Sequence, residues 1–131
     1  GDSSGLAFNV PSDYRRKENI RDLTGSLDVI NSLQPRLFKW KPSTGKPTRD
    51  YVGFIAHEVQ EKMPNLVKYE KDAVYTQQDI DDGATEVAVG DPKYQMLSYS
   101  DNEMITRLVG AIQEQQTIID DLKSRIETLE G

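Results

Sequence analysis

Residues 100–131 read SDNEMITRLVGAIQEQQTIIDDLKSRIETLEG. Within them Ile105, Leu108, Ile112, Gln115, Ile119, Leu122, Ile126 and Leu129 recur in alternating steps of three and four. These are the a and d positions of a heptad repeat. Only Gly110 and the final Gly131 interrupt it, and there is no proline. Ser100 is placed as an N-cap, with Glu103 completing a capping box. The reading is one long helix whose apolar stripe cannot be buried by that helix alone. A strict 3.5-residue period this long exceeds what a helix packed on its own body shows, where 3.6 is usual. The stripe is therefore expected to close on copies of itself as a parallel coiled coil. Ile at a with Leu at d favours two strands. Met104, Ala111 and Ile118 at g and Val109 at e widen the apolar face, however, and a wider face suits three. The expected assembly is a homotrimer. Gln115 is the polar break in the seam and is expected to fix register. Arg125 at g faces Glu130 at e of a parallel neighbour, a contact of small energy when exposed.

The sequence upstream of this helix is different. Residues 1–11, GDSSGLAFNVP, are read as a linker or the end of an upstream element. A charged run, SDYRRKENIRD, covers 12–22. Ser26 to Leu33 carries Leu27, Ile30 and Leu33 at helical spacing and stops at Pro35. Leu37, Phe38 and Trp40 read as a short strand, and PSTGKPTRD (42–50) as a loop. Tyr51–Ala56 reads as a buried strand, His57–Met63 as a short helix closed by Pro64, and Leu66–Tyr69 and Gln95–Tyr99 as further strands. Residues 70–95 are acidic and poor in large apolar groups. They are expected to form a projecting hairpin, pairing Val74 and Tyr75 with Val87 and Val89 around Asp81-Asp82-Gly83, or else a loop that orders on binding. The fold class is thus α+β. A small mixed body with an arm (12–99, the arm at about 70–95) precedes a trimerisation helix (100–131).

Composition narrows function. The 131 residues are 36% hydrophobic, with mean hydropathy −0.65. That is thin for a monomer of this length, and oligomerisation compensates. The net charge of −6 argues against nucleic acid or an anionic membrane as partner. No apolar run reaches the ~20 residues a membrane span needs. There are no cysteines and one histidine, so no metal or other cofactor is expected. Ser43 to Lys46 has a phosphate-loop flavour. It lacks the leading glycine and carries Pro47 where Ser or Thr belongs, so it is discounted.

On its own the charged run reads simply: Ser12 caps a helix, Asp13 suits the helix start, and the cations are a solvated face. Three patches in order say more. Ser12, Asp13, Arg15, Lys17 and Ile20 fit S-D-x-R-x-K-x-x-I. Gly53 to Val59, followed by Pro64, fits G-F-I-A-[QH]-E-V. Leu97 to Ser100 (L-S-Y-S) leads into A-I-Q-E and R-I-x-x-L-E, ending at Glu130. Together they resemble the C-terminal intramolecular chaperone and auto-processing domain of phage tail spikes, tail fibres and neck appendages, best known from endosialidases.

The resemblance implies a self-cleaving serine peptidase with Ser12 as nucleophile, Lys17 as base and Pro11-Ser12 as the scissile bond. Asp13, Arg15, His57 and Glu58 are possible supporting residues. It also implies that the domain helps an upstream fibre of the same polypeptide to fold in the host cytoplasm during virion assembly. The domain is then released and is absent from the mature virion. The rivals are a non-cleaving trimerisation module and the auto-processing domain of a membrane-anchored transcription factor. A lone histidine is also commonly a structural hydrogen-bonder.

Physical chemistry sets conditions on the implied site. A serine hydroxyl needs a neighbour to accept its proton, and lysine accepts one only as the free amine. Ser12 follows the bond it would attack, so an N-to-O acyl shift and then hydrolysis is an alternative to direct attack. Pro11, with its fixed φ, constrains either route. On a continuous helix, residues five apart diverge by ~140°. The pair therefore requires a non-helical turn, or a lysine from a neighbouring chain.

Overall fold

The computed structural model describes residues 10–98 and 102–131. The architecture is α+β. In chain order the regular elements are α1 (Ser26–Ser32), β1 (Arg36–Phe38), β2 (Tyr51–Gly53), α2 (Ala56–Gln60), β3 (Val67–Lys68), α3 (Gln77–Asp81), β4 (Met96–Leu97) and α4 (Glu103–Glu130). Single 3₁₀ turns lie at Tyr14–Arg16, Pro42–Thr44 and Pro64–Leu66. The two sheets are minimal antiparallel pairs. β1 pairs with β2, setting Leu37 against Val52, and β3 pairs with β4, setting Val67 against Leu97. The expected strand over 51–56 ends at Gly53, because the chain turns into α2 at Ala56. Tyr69 falls outside β3 because it adopts φ +71°, and the expected strand end at Tyr99 lies outside the described residues.

The core is small. Val59 of α2, Met63 and Leu66 are fully buried, and Val29, Leu33, Phe54, Val67, Leu97 and Met104 pack around them. α2 thus plugs the space between α1, β3 and the start of α4. Gln60 and Gln95 knit its edge: Gln95 Nε2 donates to Gln60 Oε1 at 2.9 Å and to the Tyr69 carbonyl at 3.0 Å.

α4 spans about 42 Å at 1.5 Å per residue. It docks on the body through its first half only. Met104 joins the core, and Ala111 is 4% exposed. Gly110 lies so close to α1 that a Cβ there would sit 2.6 Å from Ser26 Oγ and 2.9 Å from Ser26 Cβ. Ser26 is completely buried. This corrects the seam as expected from sequence. Met104 and Ala111 serve the body and do not widen the oligomer face, which leaves Val109 and Ile118 as its only flanking apolar residues. The seam itself is uncovered in the single chain. Ile105, Leu108, Gln115, Ile112, Ile119, Leu122, Ile126 and Leu129 are all exposed. α4 begins at Glu103 with Asn102 in the cap position and no side-chain cap bond, while Ser100 lies outside the described residues.

The contact at Gly110 yields a prediction. Overfilling a close-packed site costs about 1–3 kcal/mol, against about 1 kcal/mol gained by removing a helical glycine. Gly110→Ala therefore lowers Tm, although it improves helix propensity. Adding Ser26→Gly recovers part of the loss in a double-mutant cycle. A Gly110→Ala protein more stable than the parent would contradict the packing.

The 70–95 segment is not the expected hairpin. Its closing contacts are Val74 with Pro92, the Tyr75 amide to the Asp91 carbonyl (2.9 Å), the Gly90 amide to the Tyr75 carbonyl (2.8 Å) and the Lys93 amide to the Ala73 carbonyl (2.8 Å). Val87 and Val89 do not pair, because the tip is helical. Thr76 caps α3 and Asp79 completes a capping box, a T-x-x-D signature present in the sequence. Lys93 Nζ reaches Asp79 at 2.8 Å. The bond from Lys93, then those from the Thr76 amide and hydroxyl, hold the Asp79 carboxyl down at about 2, below its ordinary 3.8.

A depressed carboxylate stabilises the fold above its unfolded pKa, and that contribution is lost as pH falls through the folded value. The arm should accordingly loosen between pH ~4 and ~2 as Asp79 protonates. Lys93→Met should return the Asp79 titration, read by carboxyl NMR, toward the ordinary range. No movement of that titration would remove Lys93 as the cause.

Candidate functional site

The charged run becomes one tight turn. Asp13, rather than Ser12, caps the 3₁₀ turn Tyr14–Arg16: its carboxylate accepts from the Arg15 amide at 2.8 Å. The Arg16 amide bonds the Asp13 carbonyl and the Lys17 amide bonds the Tyr14 carbonyl, both at 3.1 Å. The turn stops there, and Lys17 is extended (φ −119°, ψ 150°). Leaving the helical path folds the lysine back. Lys17 Nζ donates to Ser12 Oγ at 2.6 Å within one chain. The non-helical turn, one of the two geometries open from the sequence, is formed within the single chain.

The residues around this pair divide into two groups. Arg15 is held by Asp13 in a two-point ion pair, Nε to Oδ1 at 3.0 Å and Nη2 to Oδ2 at 2.9 Å. Arg15 hydrogen bonds, from side chain first and then backbone, pull the Asp13 carboxyl below its ordinary value. Arg16 instead lines a shallow cleft with Pro11, Ser12, Asp13 and Lys17. The whole stretch 10–25 is exposed in the single chain.

His57 and Glu58 belong elsewhere. Both lie on α2, and Glu58 forms a two-point ion pair with Arg36 at 2.6 and 3.0 Å. That pair bolts α2 to the start of β1 and lowers the Glu58 carboxyl. Among the described residues, no hydrogen bond or ion pair connects His57 or Glu58 with Ser12 or Lys17.

The turn is tied to the body at its far end. Arg107 of α4 donates to the Thr24 carbonyl at 3.0 Å and to Ser26 Oγ at 3.3 Å. Glu114, also on α4, accepts from the Ser26 amide at 2.8 Å. α1 has Gly25 at its N-cap and no cap of its own, so the Glu114 carboxylate serves the positive helix end from across the fold. Ser26, Arg107 and Glu114 were not singled out by the sequence reading. The available signal was Gly110, the one glycine inside an otherwise uninterrupted helix, which marks a close approach of another element.

The match with known proteins falls on this part of the chain. Residues 12–68 match the family described as Chaperone of endosialidase. That chaperone family is classed among the peptidases, and its match opens at Ser12 itself. It runs through the turn, α1, the first sheet, the G-F-I-A-H-E-V patch and α2, ending at Lys68 in β3. The matched segment therefore contains both members of the Ser12–Lys17 pair and almost all of the small core.

Proposed function

We propose that the chain is an intramolecular chaperone that assembles as a parallel homotrimer through α4, assists folding of an upstream phage fibre, spike or appendage, and then frees itself by cutting Pro11-Ser12. The observation that carries the cleavage is the 2.6 Å hydrogen bond between Lys17 Nζ and Ser12 Oγ. The family match over residues 12–68 supports the chaperone and peptidase roles. The uncovered seam of α4 supports assembly.

Lys17, as the free amine, takes the proton from Ser12 Oγ. The oxygen attacks the Pro11 carbonyl carbon and an Oγ–C bond forms. The Pro11–Ser12 C–N bond breaks as Lys17 returns its proton to the departing Ser12 nitrogen, leaving an ester between Pro11 and the Ser12 side chain. Water then hydrolyses the ester, giving a Pro11 carboxylate and a chain beginning at Ser12. The free amine is favoured by withdrawal from water and by nearby positive charge. Packing of the exposed 10–25 stretch against neighbouring copies provides the dry surroundings, so that cutting follows assembly. The trimer in turn holds three upstream chains in phase, which matters because register in β structure is otherwise easily lost.

The test is to express the chain behind an upstream domain and sequence the new terminus of the released piece. Release beginning at Ser12 is expected. A terminus elsewhere would remove Ser12 as the nucleophile.

A further inference from the structure

Charge in this chain is strongly segregated. Residues 36–49 hold Arg36, Lys39, Lys41, Lys46 and Arg49 with no acid, although the whole chain carries −6. Residues 70–91 hold Glu70, Asp72, Asp79, Asp81, Asp82, Glu86 and Asp91 against the single Lys71. Part of each set is used internally: Arg36 binds Glu58, Lys39 binds Asp50, and Asp79 binds Lys93. The remainder is unpaired. Among the described residues, Lys41, Lys46 and Arg49 form no ion pair, and neither do Asp81, Asp82 and Glu86. Asp81 and Asp82 accept only from the Gln77 and Gln78 amides of their own helix.

Two of the spare cations, Lys46 and Arg49, stand on a built platform. Phe38, Trp40 and Tyr51 pack edge-on and stacked, with ring centroids 5.3 to 6.3 Å apart. Arg49 lies 3.7 Å above the Tyr51 ring and Lys46 lies 5.1 Å from the Trp40 ring. Ring faces that hold a cation in place lower the entropy it loses on meeting an anion. Of the spare carboxylates, Asp81 and Asp82 stand at the C-terminal end of α3, whose other end carries the Thr76–Asp79 capping box, and Glu86 follows in the next loop. Two complementary surfaces on one chain, unjoined within it, describe a heterologous contact. In a cyclic assembly such a contact closes, each copy giving its arm to the next.

We propose that the surface formed by the Lys46–Arg49 platform and the nearby Lys41 receives the Asp81–Asp82–Glu86 tip of the arm of a neighbouring copy. The contact rests on the assembly reading above. It clasps the bodies together above the coiled coil and sets which neighbour each arm engages, as charge complementarity does at interfaces generally.

Zero-length carbodiimide cross-linking tests this, since it joins only a lysine and a carboxylate in contact. Unlabelled and ¹⁵N-labelled chains, mixed equally, are unfolded and refolded together, with mass measured by sedimentation. The expected product joins Lys41 or Lys46 to Asp81, Asp82 or Glu86, with about half of it bearing one label on each side. Lys41→Glu/Lys46→Glu/Arg49→Glu should reduce that product by about tenfold or more, as like charges then face each other. Mixing these chains with Asp81→Lys/Asp82→Lys/Glu86→Lys chains should restore cross-links at the reversed junction. An oligomer with no loop-to-arm product, or with same-label product only, overturns the docking and leaves assembly standing. A monomer at all concentrations overturns both, and sedimentation tells the two failures apart.

Discussion

Replacing Ser12 by alanine leaves the Pro11-Ser12 bond intact at every time point, because the hydroxyl that Lys17 reaches, and that forms the ester, is gone. Lys17→Ala slows cutting by about 10²–10⁴-fold, the usual contribution of a positioned general base. Both variants should assemble as the parent does. The pair is exposed and touches no core residue, so loss of cutting with unchanged sedimentation separates chemistry from folding. The turn also gives a mixing result. Because Lys17 reaches Ser12 inside one chain, mixed oligomers of Ser12→Ala and Lys17→Ala chains should stay uncut. Cleavage restored by mixing would show that the lysine comes from a neighbour and that the single-chain contact is not the working one.

Ile119→Asp should convert the assembly to monomers. Ile119 sits near the start of the free half of α4 and is 44% exposed in the single chain, outside the buried core. Burying an isoleucine is worth about 1.5–3 kcal/mol, and a trimer buries three in one layer. Replacing them with three facing carboxylates removes that stabilisation and adds repulsion. At 1.4 kcal/mol per factor of ten, the assembly constant should fall by roughly 10³-fold or more. α1 and the core do not touch this part of α4, so circular dichroism should keep the body's signal while sedimentation shows dissociation. If Ser12 cutting depends on assembly, the same variant should also cut slowly. An Ile119→Asp protein of unchanged mass would place the interface elsewhere.

The sequence reading succeeded where one physical signal dominates. The 3.5-residue period reveals α4 because a repeat of apolar residues is hard to produce by other means. Pro35 and Pro64 lie just beyond α1 and α2 because proline in a helix interior removes an amide donor and clashes with the preceding turn. The reading failed where two demands compete for the same residue. Met104 and Ala111 fit the stripe by spacing, yet α1 and the core claim them, and only tertiary contact decides that. Gly110 was visible, but its partner, Ser26, lies 84 positions away in sequence. In the arm, Val87 and Val89 suggested a strand, whereas the Thr76–Asp79 box set a helix at the tip and moved the pairing to Val74 and Pro92.

At the candidate site, residue types and spacing were legible but the geometry was not. Ser12 and Asp13 are both good caps, and the sequence does not say which of them caps. Because Asp13 takes the role, Ser12 Oγ is left for Lys17. Glu58 and His57 stood in a recognisable patch, and the fold spends Glu58 on Arg36.

The most direct measurement is the intact mass of the chain, carrying an upstream domain, followed over time in an oligomer whose size is checked by sedimentation. The account predicts that the full-length mass gives way to two species that meet at Pro11-Ser12, one ending in the Pro11 carboxylate and the other beginning with the free amine of Ser12. A confirmed oligomer that keeps its full-length mass throughout would contradict self-cleavage at Ser12.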